Sequence, residues 1–239
     1  MNRRDDYGIR SDYVARQVAE TRESLPKDYW NDSRIRNAGQ YQYAVYRAAA
    51  RLIADRPEGA RKVADIGCGY PVKAHRLLSP LADSLTLYDQ PTLRPVIEAD
   101  FPSMRFFGID LESPETAEGG YDLTICSDVI EHLLDPDPCL GFLKSITKPD
   151  GLMVISTPER EVLRGSDCLS SPKPEHVREW SRDEFRSYLE SRGLVIHEHV
   201  LVPEKRLTTL ENILAPLLGS IRPHRRWIGC QLLVCSSSR

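Results

Sequence analysis

The chain has 239 residues, a mass of 27.1 kDa and a hydrophobic content of 41%, which suffice for one domain with a sizeable buried core. Its formal net charge of −3 gives no overall positive field, so tight electrostatic binding of long nucleic acid is disfavoured. No apolar run approaches the roughly 20 residues of a membrane-spanning helix, so a helical membrane protein is excluded.

The first ten residues and the cysteines both predict a cytoplasmic protein. Residues 1–10 are polar and charged, without the apolar stretch of an export signal. The six cysteines occur without a CxxC pair, and most lie in apolar surroundings. We therefore expect reduced, packed thiols rather than a disulfide framework or a zinc site.

A Pro-Glu-Gly segment just before residue 60 marks a change of composition. Residues 1–60 carry a net charge of +2, and apolar residues at helical spacing over 41–54 predict a helix there. We interpret residues 1–60 as an N-terminal helical segment that supplies a lid or substrate contacts, with ordinary packing as the alternative. Residues 61–239 are expected to form the main domain, in which 61–202 carry −9 and 203–239 carry +4.

From residue 62 onward, short strand-like apolar runs alternate with helical spacing. The strand-like runs are 62–66, 84–88, 104–107, 121–126, 151–156, 194–202 and 227–235. The helical runs continue through Leu78 after the first strand and then cover 93–99, 129–134, 138–146 and 182–191. This alternation predicts an α/β fold with a doubly wound, mainly parallel, seven-stranded sheet and helices on both faces.

The predicted helix over 182–191 has clear signals at both ends. Ser181 and Glu184 match a capping box, and Gly193 suits the C-terminal end. The interval 203–226 between the last two strands is too long for a tight hairpin. Because leucines recur there at helical spacing, we expect a helical insertion before the last strand.

Candidate binding residues gather at the predicted strand ends, where doubly wound sheets bind their ligands. Residues 65–69 read Asp-Ile-Gly-Cys-Gly, and the glycines allow a tight turn and a close approach of the backbone to a ligand. The third glycine of a dinucleotide fingerprint is absent, since Tyr70 and Pro71 follow. This departure from the fingerprint argues against a nicotinamide cofactor.

Acidic residues end the next two strands. Asp89 stands 20 residues after Gly69, the spacing at which a carboxylate holds both hydroxyls of a ribose. Asp110 ends the third strand, where its carboxylate can accept a hydrogen bond from the amino group of adenine, with Leu111 against the ring face. The three strand ends together indicate a site for an adenosine-containing ligand.

These strand ends, together with residues 121–133 and 143–158, resemble the class I S-adenosylmethionine-dependent methyltransferases over about residues 60–202. The resemblance implies the Rossmann-like methyltransferase fold and S-adenosylmethionine as the cofactor. It implies that the 65–69 turn surrounds the methionine part and the ribose, and that the two acids that follow bind the ribose and the adenine. The cofactor-binding residues predicted in this way are Asp65, Gly67, Cys68, Gly69, Asp89, Gln90, Asp110, Leu111, Ser127 and Asp128.

Asp128, Glu131 and His132 raise the question of a metal ion, because they stand at positions i, i+3 and i+4 of a predicted helix start and are expected to share one face. With the distal His176 they resemble the metal-binding residues of some small-RNA 2′-O-methyltransferases and ubiquinone-biosynthesis O-methyltransferases. The resemblance implies Mg²⁺, Mn²⁺ or a similar divalent ion on these four residues. We favour the metal-free interpretation, in which Glu131 faces solvent and His132 lines the cofactor pocket.

Methyl transfer to a hydroxyl requires in-line alignment, exclusion of water and removal of a proton. His132 and His176 are the candidate catalytic residues, because histidine is the base suited to neutral pH. The acidic core favours a small-molecule acceptor, such as a sugar or secondary metabolite, over long RNA. Two alternatives stay open, a metal-assisted RNA 2′-O-methyltransferase and a non-catalytic cofactor-binding partner of another enzyme. The oligomeric state is not predicted.

Overall fold

The computed structural model describes residues 7–16, 32–115, 118–208, 211 and 225–238. At its centre is a sheet of seven strands, which occupy Lys62–Ile66 (β1), Ser84–Asp89 (β2), Arg105–Gly108 (β3), Tyr121–Ser127 (β4), Thr147–Pro158 (β5), Leu194–Val202 (β6) and Cys230–Ser237 (β7). The spatial order is β3-β2-β1-β4-β5-β7-β6. Neighbours from β3 to β5 run parallel, whereas β7 is antiparallel to both β5 and β6. The predicted doubly wound, mainly parallel seven-stranded sheet is confirmed.

Seven α-helices among the described residues accompany the sheet. They occupy Asp32–Asn37 (α1), Tyr43–Ala54 (α2), Arg94–Asp100 (α3), Asp137–Ile146 (α4), Arg160–Arg164 (α5), Arg182–Ser191 (α6) and Arg225–Ile228 (α7). They enclose two hydrophobic cores with the sheet. One core joins Ile53 of α2 to Val63 of β1, and the other joins Phe142 of α4 and Phe185 of α6 to Ile66 of β1. Helices thus cover both faces.

The central strands are buried on both faces, as parallel strands between two helix layers must be. All seven residues of β4 are buried. Its polar side chains are paired: Asp122 Oδ2 accepts a hydrogen bond of 2.9 Å from Lys62 N, and the hydroxyl oxygens of Thr124 and Thr147 lie 2.9 Å apart. The buried strands form a rigid support for the loops at their carboxyl ends.

Two of the helices predicted from the sequence are wrong, because each is only a short turn in the structure. The helix expected after β1 is a single π-helical turn over Ala74–Leu78. The helix expected over 129–134 is a single 3₁₀ turn over Ile130–His132. It cannot extend, because Asp128 has a left-handed φ of 52° and the carbonyl oxygen of Glu131 accepts from Val177 N at 2.8 Å rather than from the next helical turn.

The predicted ends of α6 are confirmed. Ser181 accepts a hydrogen bond from Glu184 N while Glu184 Oε2 accepts one of 2.8 Å from Ser181 N, so both halves of the capping box form. Gly193 has a φ of 76°, which suits the residue after a helix end. The last strand begins at Cys230 rather than at residue 227, because α7 occupies the preceding residues.

The N-terminal strap, which we define as residues 7–16, lies against the loop that leads into α6. Trp180 Nε1 donates to the carbonyl oxygen of Tyr7 at 2.9 Å, and Arg16 N donates to the carbonyl oxygen of Val177 at the same distance. Most of the predicted insertion, 209–210 and 212–224, lies outside the described residues. Among the described helices we find none that is long and apolar enough to cross a membrane.

Candidate functional site

The candidate site lies at the carboxyl ends of β1, β2, β3 and β4. The strand order reverses between β1 and β4, since β2 and β3 lie on one side of this pair and β5 on the other. Doubly wound sheets form their ligand crevice at such a point. The fold therefore brings Asp65, Asp89, Asp110 and Ser127 to the same edge of the sheet.

The turn after β1 is shaped by two glycines in the left-handed region, Gly67 at φ 70° and Gly69 at φ 56°. A β-carbon at Gly67 would collide with the side chain of Val129. Gly69 N donates to Asp89 Oδ2 and Gln90 N donates to Asp89 Oδ1, each at 2.7 Å. The turn and the Asp89 carboxylate are thereby fixed against each other.

Asp89 keeps unused acceptor capacity, because each carboxylate oxygen accepts one backbone N–H and has a further lone pair. Burial raises the pKa of Asp89 to about 6, although the two backbone donors act in the opposite direction. Asp110 is exposed, and its Oδ1 accepts from Glu112 N at 2.9 Å, while Leu111 is buried beside it. Burial also raises the pKa of the Cys68 thiol well above its ordinary value.

Asp65 is fully buried and is paired with Tyr46 of α2. The Tyr46 hydroxyl donates to Asp65 Oδ2 at 2.9 Å. Burial raises the pKa of Asp65 to about 7, opposed by this hydrogen bond and by the nearby Lys73 amine. Sequence reasoning did not single out Tyr46 or Lys73, because their convergence on Asp65 depends on how α2 packs across β1.

Asp128 is fixed by hydrogen bonds from two other parts of the chain. Its Oδ1 accepts from Ser156 Oγ at 2.8 Å, and its Oδ2 accepts from Gln42 Nε2 at 3.1 Å. The Ser127 hydroxyl oxygen lies 2.9 Å from that of Ser156 and completes the network. Gln42 is a second residue with φ 52°, and sequence reasoning did not find it. The expected common helical face of Asp128, Glu131 and His132 does not form, since the helix itself is absent.

Glu131, His132 and His176 do converge. One ligand atom from each lies within 4.8 Å of the others, and we call this group the acid–histidine cluster. The expectation that Glu131 faces solvent is wrong, because it is fully buried. Its Oε2 accepts from Thr157 Oγ1 at 3.0 Å, whereas Oε1 has no hydrogen-bond partner among the described residues. Burial raises the pKa of Glu131 well above its ordinary value.

Both histidines are held through Nδ1. His132 Nδ1 lies 2.7 Å from the carbonyl oxygen of Glu175, and His176 Nδ1 lies 2.7 Å from Glu179 Oε1. Because a carbonyl only accepts, His132 carries its proton on Nδ1 and has a lone pair on Nε2. The ring centres lie 4.8 Å apart at 86°. Burial, followed by the proximity of His176, lowers the pKa of His132 to about 4.

Glu179 is the fixed partner of His176 and was missed by sequence reasoning. It is fully buried, and it accepts from Ser171 Oγ at 2.9 Å and from Arg164 Nε at 3.1 Å. Burial alone would raise the pKa of Glu179, but the hydrogen bonds from His176 and Arg164 lower it to about 2. The acid–histidine cluster therefore contains the buried carboxyl of Glu131, and the ionised carboxylate of Glu179 lies next to it as the partner of His176.

Residues 37–199, more than half of the chain, match the family described as a methyltransferase domain. Among curated proteins, the ubiquinone biosynthesis O-methyltransferase of Bradyrhizobium sp. (strain ORS 278) is 33% identical over 88 residues, or 33% of this chain and 35% of the relative. That of Bradyrhizobium diazoefficiens is 27% identical over 157 residues, or 59% of this chain and 60% of the relative. The chain thus spans less than two thirds of the length of either relative.

The fold is also similar to a solved structure, that of the Burkholderia thailandensis 1,6-didemethyltoxoflavin-N1-methyltransferase with bound 1,6-didemethyltoxoflavin and S-adenosylhomocysteine. The TM-score is 0.58 at 16% identity, and the match covers 95% of this chain and 94% of the other. At this identity the likeness concerns the fold alone. The family match over more than half of the chain shows that the chain belongs to the methyltransferase-domain family.

Proposed function

We propose that this protein is an S-adenosylmethionine-dependent methyltransferase that methylates a hydroxyl group of a small molecule, with the acid–histidine cluster receiving the acceptor. The observation that carries the proposal is the meeting of His132, His176 and the unpartnered Glu131 Oε1 in a buried place beside the strand ends. A hydroxyl is a proton donor, and these groups offer it nitrogen lone pairs. The curated relatives are named as O-methyltransferases, which is consistent with such an acceptor.

Five of the ten residues predicted for the cofactor support an adenosyl ligand, namely Gly67, Gly69, Asp89, Asp110 and Leu111. The Gly67 and Gly69 conformations allow the backbone to approach it. Asp89 has lone pairs left for ribose hydroxyls, and exposed Asp110 with neighbouring Leu111 suits an adenine amine and ring. When bound, the cofactor supplies a methyl group on a sulfonium, which is already activated for transfer.

His176 is the proposed general base. Its Nδ1 faces the Glu179 carboxylate, so Nε2 is the nitrogen available to take the hydroxyl proton. Glu179 stabilises the resulting imidazolium, because its pKa of about 2 keeps it ionised. His132 stays neutral over the physiological range and orients the acceptor through a hydrogen bond. Glu131 and His176 are buried and His132 is half-buried, which limits the access of water to the acceptor.

We also propose that the N-terminal part of the chain contributes to acceptor choice, since Gln42 reaches Asp128 from the segment between α1 and α2. Of the expected N-terminal segment, residues 1–6 and 17–31 lie outside the described residues. The cytoplasm remains our proposed compartment, in line with six free cysteines, of which Cys168 alone is not buried.

Calorimetry with S-adenosylhomocysteine tests the cofactor site. Asp89→Ala removes both ribose acceptors and is expected to weaken binding about 10-fold or more. Asp83→Ala is the matched control, because Asp83 is an exposed aspartate that also accepts a backbone N–H, from Arg61 at 3.0 Å. Unchanged affinity in Asp89→Ala would contradict the assignment.

Mass spectrometry tests the acceptor class. The enzyme is incubated with S-adenosylmethionine and a panel of catechols, sugars and matched amines, and products that gain one methyl group are identified. We expect products methylated on oxygen. In His176→Ala the rate of their formation should fall about 100-fold or more, while S-adenosylhomocysteine binding persists. Methylation of amines alone would overturn the hydroxyl proposal.

A metal-assisted transfer is the second candidate, favoured by the buried, unpartnered Oε1 of Glu131. Glu131 and the two histidines fit a divalent ion, because a carboxylate oxygen and two imidazole nitrogens are suitable donors and both Nδ1 atoms already have oriented partners. Such an ion would lower the pKa of the acceptor hydroxyl. An RNA acceptor would belong to this candidate, although the charge of −9 over residues 61–202 opposes it.

Titration with Mn²⁺ and Zn²⁺ decides between the two candidates. The metal-assisted candidate predicts binding that is lost in Glu131→Gln and kept in His199→Gln, where His199 is a buried histidine hydrogen-bonded to Gln231 outside the cluster. Absence of binding to the wild-type protein, with methyl transfer unaffected by a chelator, would eliminate this candidate.

A further inference from the structure

A short antiparallel ribbon, which we define as residues 40–42 and 204–206, is centred on a bridge between Tyr41 and Lys205. Two backbone hydrogen bonds of 2.6 Å and 2.9 Å, one on each side of the bridge, fix the two strands against each other. Because successive side chains of an extended strand point to opposite faces, Lys205 lies on one face of the ribbon and its two neighbours lie on the other. The two faces can therefore be compared residue by residue.

One face of the ribbon points towards the candidate site. Gln42 donates from this face to Asp128 Oδ2 at 3.1 Å, and Asp128 lies just before the turn that holds two members of the acid–histidine cluster. Glu204, opposite Gln42, has its Oε1 3.9 Å from Nζ of Lys173, in the loop that leads to His176. This face thus adjoins both segments that supply the cluster.

Arg206 shares this face with Glu204 and is an exposed cation. Its guanidinium carbon lies 4.6 Å from the centre of the Tyr43 ring. Among the residues that the structure describes, no acceptor binds the N–H groups of this guanidinium, and no carboxylate pairs with it. A guanidinium that stacks on an aromatic ring keeps the donors at its edge free. The ring thus holds an unused set of N–H donors beside the site.

A carboxylate is the group that such a set of donors fits, because the planar guanidinium forms two parallel hydrogen bonds with its oxygens. The distribution of charge favours the same place. Residues 61–202 carry −9, whereas residues 203–239 carry +4. A carboxylate on a small molecule is therefore repelled by most of the main domain and attracted at Arg206.

We propose that Arg206 binds a carboxylate on the methyl acceptor, so that the preferred substrates are hydroxy acids rather than neutral alcohols. The proposal rests on the hydroxyl acceptor proposed above and names the substrate class of that same site. The acceptor hydroxyl lies at the acid–histidine cluster and its carboxylate at the ribbon. Arg206 determines specificity and takes no part in the chemical step. An Arg206 that only stabilises the ribbon would affect acids and neutral molecules equally.

Pairs of hydroxy acids and their primary amides test this selectivity. Salicylate, caffeate and glucuronate are each compared with the neutral amide, because each pair differs in charge but hardly in shape. The kcat/KM of the wild-type protein is expected to be about 10-fold or more higher for the best acid than for its amide. Arg206→Met should remove this difference by raising KM for the acid, with kcat and the values for the amide changed by less than about threefold. Arg206→Lys should restore part of the difference, because it returns the charge without the planar donors.

Lys205→Met is the matched control. Lys205 is also an exposed cation on a tyrosine ring of the ribbon, with Nζ 4.8 Å from the centre of the Tyr41 ring, but it lies on the opposite face. This variant should keep the preference for acids, and thermal unfolding confirms that each variant is folded.

Four results would each overturn the proposal for Arg206. They are equal kcat/KM for acids and amides in the wild-type protein, an equal loss for both in Arg206→Met, the same loss in Lys205→Met, and methylation of the carboxylate itself, seen by mass spectrometry. Transfer to neutral catechols or sugars but to none of the three acids would overturn it as well. Transfer to no hydroxyl compound at all, with S-adenosylhomocysteine still bound, would instead contradict the proposed function.

Discussion

At the scale of a single residue, the burial of Asp65 lowers the free energy of unfolding at neutral pH. It is buried among Tyr46, Lys73 and Asp89, and its pKa in the folded protein is about 7, against 3.8 for an ordinary aspartate. The folded state therefore binds more protons than the unfolded state between about pH 4 and pH 7. By linkage, the free energy of unfolding falls as pH rises through this window.

Asp65→Asn tests this linkage, because the amide keeps the shape of the side chain and removes the titration. Urea unfolding at pH 5 and pH 8 is expected to show a smaller loss of stability in Asp65→Asn than in the wild-type protein. Asp89, whose pKa is also raised, contributes with the same sign in both proteins and cancels in the comparison. Equal pH dependence in the two proteins would show that Asp65 titrates normally.

Gly67 permits a second test at this scale. Gly67→Ala is expected to abolish S-adenosylhomocysteine binding, since the β-carbon would both strain a φ of 70° and displace Val129. Gly59→Ala is the control, because Gly59 has a φ of 80° and nothing within 4 Å of the added atom. Both variants should lose about 1 kcal/mol of stability from left-handed strain. Equal ligand affinities, measured by calorimetry, would argue against a close approach at Gly67.

At the scale of elements, the start of α6 fixes the loop that carries part of the acid–histidine cluster. Its capping box begins one residue after Trp180, in the loop that carries His176 and Glu179. Glu184 also accepts from Arg160 Nη2 at 2.9 Å, so the start of the helix is tied to α5. The position of His176, the proposed base, thus depends on how this helix starts.

Ser181→Ala is expected to destabilise the protein by about 1 kcal/mol, because it leaves the first turn of α6 without its acceptor. For a chain of this size the unfolding temperature should fall by about 2–4 °C. Ser187→Ala, at an exposed mid-helix position, is the control and should leave the temperature unchanged or slightly raised. Differential scanning calorimetry compares the unfolding temperatures of the two variants. An equal change in both would show that the Ser181 cap does not stabilise the protein.

At the scale of the whole molecule, distant parts of the chain meet next to the site. Tyr41 and Lys205 form an antiparallel bridge, and Gln42 N donates to the carbonyl oxygen of Glu204 at 2.9 Å. Gln42 then continues to Asp128 through its side chain. The segment before α2, the segment after β6 and the end of β4 are therefore one connected structure.

Hydrogen exchange with and without S-adenosylhomocysteine tests this connection. Binding is expected to slow exchange in residues 40–42 and 204–206 as well as in the 65–69 turn, because ordering at Asp128 restrains both segments. Peptides from the β6 edge near Val195, which is 45% exposed, serve as the reference and should not change. Protection confined to the glycine turn would show that the segments are independent.

Most of the sheet and the three members of the acid–histidine cluster could be predicted from sequence, but the burial of Glu131 and the role of Glu179 could not. The strands β1, β4 and β6 follow from local apolar pattern, and the strand-end acids follow from their spacing. By contrast, Glu131 is buried because its 3₁₀ turn is pinned by Val177, a contact across 46 residues that no local pattern encodes. Glu179 was missed for the same reason, since its role depends on Arg164 and Ser171 around it.

The strand order carries a consequence for synthesis. β7 lies between β5 and β6 in the sheet. Among the described strands, β6 therefore has no neighbour until the residues of β7 have left the ribosome. Until then β5 presents an open edge and β6 is an unattached strand, both of which are prone to pair with other chains. The nascent protein therefore completes its sheet only after β7 has emerged, and chains that stop before Cys230 are expected to aggregate rather than to form a smaller folded protein.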